Sequence, residues 1–172
     1  MRTKQTIAVI GATGNMGSAI AKSLSVGNYR LLLHARDFNT CKQLATEILA
    51  IHRLADAEAM DCSMNACWEA DIIIIATPDT ENKEVSLRIR EVASQKIVIS
   101  IVNSLNDTYR GMIPAPETNG KEDIQQLLPH SKVVKVVMDR KRAAVNIAGI
   151  DQNAVEMVKE LMSSAGYHSL PA

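Results

Sequence analysis

Short apolar runs recur along the chain: Ile7 to Ile10, residues 30–35, residues 71–76, residues 96–102, residues 132–137 and residues 143–148. Each is flanked by glycine, proline or charged residues, and most are apolar at consecutive positions, the pattern of strands covered on both faces of a parallel sheet. Between them apolar residues return at helical spacing over 18–24, 38–55, 80–93, 121–128 and 151–165. Leu44, Ala45, Ile48, Leu49 and Ile51 form the stripe expected inside the second of these, and Val155, Val158, Leu161 and Met162 that of the last. Weaker signals predict a short strand over 57–60, a helical turn over 63–69 burying Met64, Ala66 and Trp68, and an edge strand over 167–170. The alternation of strands and helices predicts an α/β fold with a doubly wound, mostly parallel sheet, as a single domain over 1–172.

The junction of the first strand and first helix carries the chemistry. Residues 11–17 read Gly-Ala-Thr-Gly-Asn-Met-Gly, a G-x-x-G-x-x-G spacing. A strand that turns at once into a helix needs residues without Cβ, and a diphosphate reaches the helix N-terminus only where no side chain intervenes. This is the expected cradle for a dinucleotide in a Rossmann fold. The second strand ends in Arg36, where the adenine ribose of such a ligand lies; a guanidinium there suits the 2′-phosphate of NADP. Asp37 is the opposing signal, able to accept from ribose hydroxyls or to cap the next helix. Lys42 is a second candidate cation on that helix. Ala76, Thr77 and Pro78 end the strand at 71–76 and are expected against the ribose and nicotinamide. The irregular stretch from Asn103 to Gly120 follows another strand end and is the candidate substrate side of the pocket.

Composition narrows the partners. Lys and Arg number 19 and Asp and Glu 19, so no net field attracts nucleic acid or an anionic membrane. Neither a signal peptide nor a membrane-spanning run is expected. Three cysteines without C-x-x-C spacing and four scattered histidines predict reduced thiols, a cytoplasmic setting and no metal site. Asp56, Glu58 and Asp61 read as a solvated face. The Tyr and Lys four residues apart of short-chain dehydrogenases are absent at Tyr29, Tyr109 and Tyr167, and no catalytic side chain is assigned.

The loop at 11–17 resembles the G-G-T-G-N-x-G loop of the coenzyme F420-dependent NADP oxidoreductases, and Arg36 matches the arginine of that family's S-R at the end of the second strand, with Ala35 in place of the serine. The likeness continues through Pro78, through Lys96 to Ser100, through Pro129 to Lys135, and through Gly149-Ile150-Asp151, similar to the family's G-D-D. The resemblance implies hydride transfer between NADPH and a small-molecule acceptor, either F420, a flavin-like ring or a carbonyl or imine compound. It implies that Thr13, Gly14, Asn15 and Met16 contact the diphosphate, with Gly11 and Gly17 completing the cofactor-binding loop, Arg36 the 2′-phosphate, and Ala76, Thr77 and Pro78 the ribose–nicotinamide end. The family continues into C-terminal helices beyond the equivalent of Ala172. A homodimer is therefore expected to use the sheet edge or the helix at 151–165. The alternative expectation is a dinucleotide-binding sensor or subunit without redox activity of its own.

Overall fold

The computed structural model describes residues 3–103 and 123–171. Its elements run β1 (Gln5–Ile10), α1 (Asn15–Leu24), β2 (Tyr29–His34), α2 (Phe38–Ile51), β3 (Asp56–Met60), α3 (Ser63–Glu69), β4 (Ile72–Ile75), α4 (Asp79–Ile89), β5 (Ile97–Asn103), α5 (Ile124–Leu127), β6 (Lys132–Asp139), β7 (Ala144–Gly149), α6 (Gln152–Ser164) and β8 (His168–Ser169). The strands form one sheet in the order β3-β2-β1-β4-β5-β6-β7-β8. All pairings are parallel except β6 with β7. That exception is a hairpin: the basic run after Met138 forms its turn, and the Asp139 carboxylate accepts from the backbone N–H groups of Lys141 (3.0 Å) and Arg142 (3.3 Å).

Because strand residues point alternately to opposite faces, the apolar runs supply two cores. Ile7, Val9, Leu31, Leu33, Ile72, Ile74 and Ile99 pack beneath α1, α2 and α6. Ala8, Ile10, Leu32, Ile73, Ile75 and Val98 pack beneath α3, α4 and α5. Uninterrupted apolar runs are thus what a sheet with helices on both sides demands.

Four expected core residues lie outside it. Along α2, Cys41, Leu44, Ala45 and Ile48 form the buried stripe, while Leu49 and Ile51 face solvent. Leu49 is a step of about 100° round the helix from Ile48, and Ile51 is the terminal helical residue. In α3 the buried positions are Ser63, Ala66 and Cys67. Met64 and Trp68, four apart, share the outer side, and Trp68 is 71% exposed. The helices at 38–55 and 80–93 are also shorter than the pattern suggests, α2 being closed at Ile51 and α4 at Ile89. The acidic group on β3 is a solvated face: Asp56 pairs with Lys4 and Glu58 with Arg30, each at 3.2 Å. No helix among the described residues is long and apolar enough to cross a membrane.

The sheet order places β1 and β4 side by side although their crossovers depart in opposite directions, β1 to β2 on one side and β4 to β5 on the other. A crevice opens at such a switch point, beyond the carboxyl ends of the strands.

Candidate functional site: the crevice between β1 and β4

The chain leaves β1 through Gly11, whose φ of +81° is costly for a residue with a Cβ. The N–H groups of Gly11 and Ala12 both donate to the His34 carbonyl at 3.0 Å, tying the loop to the end of β2. A Cβ on Gly11 would lie 2.9 Å from the backbone of Ala76 and Thr77, so the loop is pressed against the end of β4. A Cβ on Gly17 would lie 2.1 Å from the Gly11 carbonyl oxygen, so α1 rests directly on the loop. Gly14 is different. Its φ of −70° suits any residue, and a Cβ there would meet only the Gly11 oxygen, at 3.5 Å. Among the described residues nothing requires glycine at that position.

The first hydrogen bond of α1 runs from Ser18 N–H to the Gly14 carbonyl at 2.9 Å. The N–H groups of Asn15, Met16 and Gly17 precede it and have no acceptor within the helix. No side chain caps this end and no acidic residue stands in its first turn. Gly14 and Asn15 are exposed, Thr13 and Met16 half-buried, and Met16 packs on the core. The positive end of the helix dipole therefore opens on the crevice with a geometry that accepts an anion.

Past β2, Ala35 is buried and Arg36 turns outward, its side chain 79% exposed. Arg36 Nη2 lies 3.1 Å from Glu81 Oε1, in the first turn of α4. Asp37 is the helix cap: its Oδ1 accepts from Asn39 N–H at 2.9 Å and Thr40 N–H at 3.3 Å. Hydrogen bonds from Thr40 and then Asn39 hold this carboxyl below its usual range. Both bonds fall on the same carboxylate oxygen, and through it Asp37 caps α2. Lys42 lies 4.9 Å over the ring of Phe38 and does not line the crevice.

At the end of β4, Ala76 and Thr77 are half-buried and Pro78 is exposed at the start of α4. Thr77 Oγ1 donates to Asn82 Oδ1 at 2.8 Å, fixing the hydroxyl. Of the ten residues singled out from the sequence, Gly11, Arg36 and Thr77 line one cleft of about 340 Å³. The other seven, Thr13, Gly14, Asn15, Met16, Gly17, Ala76 and Pro78, are not among its lining residues; the first five continue the chain from Gly11 into α1, and Ala76 and Pro78 flank Thr77. The candidate substrate side over 103–120 lies, apart from Asn103, outside the described residues.

Sequence reasoning missed His34, Ser63, Glu81 and Arg88, which also line the cleft. His34 Nδ1 lies 3.0 Å from the Met60 carbonyl oxygen, an acceptor only, so Nδ1 is the donor in that bond. The signal for the α4 residues was present in their spacing: Glu81, Glu84, Val85 and Arg88 fall on one helix face. The buried thiols offer no nucleophile. Burial raises Cys41 and pushes Cys67 up to about 12. Among the described residues, no group of three or more His, Cys, Asp or Glu side chains could hold a metal ion.

A family model described as NADP oxidoreductase, coenzyme F420-dependent, matches residues 6–104, which span β1 through β5. The chain belongs to this family. Membership places it among the NAD(P)-dependent oxidoreductases. A crystal structure from Arthrobacter sp. FB24, assigned as an F420-dependent NADP-reductase, superposes with a TM-score of 0.70 at 23% identity, covering 96% of this chain and 83% of that one. A pyrroline-5-carboxylate reductase from Coxiella burnetii gives 0.72 at 16% identity, over 99% of this chain and 60% of that one. A pyrroline carboxylate reductase from Plasmodium falciparum with NADP bound gives 0.65 at 17% identity, over 99% and 59%. At these identities the likeness is one of fold, and the chain spans about 60% of the length of the two pyrroline carboxylate reductases.

Proposed function

We propose that the protein binds NADP(H) across the β1–β4 crevice and passes hydride between it and a small acceptor. The observation that carries this reading is Arg36, an exposed guanidinium at the carboxyl end of β2 that opens on the same cleft as Gly11 and Thr77. The uncapped start of α1 and the bare backbone at Gly14 suit the diphosphate. Arg36 suits the 2′-phosphate, which a planar guanidinium can grip with two hydrogen bonds. Gly11, Thr13, Asn15, Met16 and Gly17 complete the loop, and Ala76, Thr77 and Pro78 take the ribose–nicotinamide end.

The bound nucleotide supplies the hydride chemistry; the chain supplies position. Transfer between two rings held face to face needs no side-chain acid or base, only alignment and exclusion of water. The family description favours coenzyme F420, or a flavin-like ring, as the acceptor. The pyrroline carboxylate reductases that share the fold make a cyclic imine the second choice.

The test is NADPH oxidation followed at its absorbance band with F420, a free flavin and a cyclic imine offered in turn. Turnover with one acceptor and not the others is the expected result. NADPH that binds and is retained with every acceptor would turn the reading to a nucleotide-binding module whose partner does the redox work.

A further inference from the structure

The wall of the cleft opposite the glycine loop is helix α4, and its lining face carries two acids and one base, Glu81, Glu84 and Arg88. Arg88 is engaged within the helix by Glu84. Glu81 instead reaches across to Arg36, at 3.1 Å. The two ends of that pair differ: the Glu81 side chain is 27% exposed and that of Arg36 79%. Glu81 stands in the first turn of α4, where the helix dipole favours a carboxylate, and its N–H donates to the Pro78 carbonyl at 2.8 Å. Glu81 is therefore the anchored member, and Arg36 the arm that spans the opening.

We infer that Glu81 determines cofactor preference at this site, acting as a built-in anion that occupies the Arg36 guanidinium until a 2′-phosphate displaces it. This rests on the reading of Arg36 as the 2′-phosphate ligand. The phosphate carries more charge than a carboxylate and can bond the guanidinium through two oxygens, whereas an exposed ion pair is weak, so displacement is feasible. The displaced carboxylate remains beside the incoming phosphate as a like charge, which opposes binding. NAD(H) presents ribose hydroxyls at the same place. Those can donate to Glu81 without repulsion. The residue thus lowers affinity for NADP(H), spares NAD(H), and narrows the preference that Arg36 would otherwise give.

The experiment is a fluorescence titration of NADPH and NADH against the wild-type chain, Glu81→Gln, Arg36→Ala and the double variant, with a thermal melt of each to verify folding. Glutamine keeps the shape and removes the charge. Glu81→Gln is expected to tighten NADPH by about threefold to tenfold, the scale of an exposed ion pair and a nearby like charge, and to leave NADH unchanged or weaker. In the Arg36→Ala background the same substitution should give a smaller gain. An NADPH-to-NADH ratio that depends on Arg36 but is unmoved by Glu81→Gln overturns this inference and leaves the NADP reading intact. A ratio insensitive to Arg36 removes both.

Discussion

A methyl group added at Gly17 would sit 2.1 Å from the Gly11 carbonyl oxygen, inside any tolerable contact, whereas one added at Gly14 would meet that oxygen at 3.5 Å. The two glycines of one motif thus do different work, the first closing helix against loop and the second leaving backbone bare. Gly17→Ala should destabilise the fold by about 2 kcal/mol or more, read by denaturant unfolding, because loop and helix must part. Gly14→Ala should unfold like wild type and yet bind NADPH about tenfold more weakly. Equal losses of stability in both would show that Gly14 has a structural task after all. The glycine loop and Arg36 are legible in the sequence because local chain geometry fixes where they stand. His34 is not, since it enters the cleft through the order in which strands pair, and for Glu81 the helical spacing gives the shared face of α4 but not that this face meets the cleft. Asp37 was ambiguous for a related reason: a residue that can cap a helix or meet a ribose is resolved only by its hydrogen bonds, and Asn39 and Thr40 both donate to its Oδ1.

Elements show where patterning informs and where it misleads. The stripe of α2 was legible at Leu44, Ala45 and Ile48, but apolar character alone also drew in Leu49 and Ile51, which the turn of the helix and its end leave in water. In α3, seven residues are too few for periodicity to say which side faces the sheet. Caps are more dependable. The Asp37 carboxyl titrates below its ordinary value of 3.8 in the folded chain, so its contribution to stability is complete above that value and is lost as pH falls through the lower, folded-state one. Asp37→Asn keeps a capping oxygen but cannot titrate; its melting temperature should fall less steeply than that of wild type in that acid window. Identical slopes would show that the cap charge is immaterial. Asp151, whose Oδ1 accepts from Ala154 N–H at 2.9 Å, caps α6 in the same way. Asp151→Ala should cost about 1 kcal/mol in a denaturant titration.

For the molecule as a whole, the central strands carry the stability and their order creates the site. Ile74 is fully buried between β1 and β5, so Ile74→Ala should cost about 2–5 kcal/mol and Ile74→Val about 1 kcal/mol. The same order that buries Ile74 puts Gly11 against Thr77 and brings Arg36 to the edge of the cleft they share. Fold class was legible because six apolar runs alternating with helical periods admit few other arrangements. Strand order was not, because each run reads alike whichever neighbour it pairs with; the antiparallel β6–β7 hairpin has its signal in the short connection over 138–142, which cannot hold a parallel crossover. The most direct measurement is the binding of NADPH and NADH to the purified chain and to Arg36→Ala. NADPH should bind more tightly than NADH in the wild-type protein, and the substitution should erase the difference by weakening NADPH alone. Equal binding of the two nucleotides by wild type, or a preference that survives in Arg36→Ala, would contradict the assignment of the 2′-phosphate to Arg36.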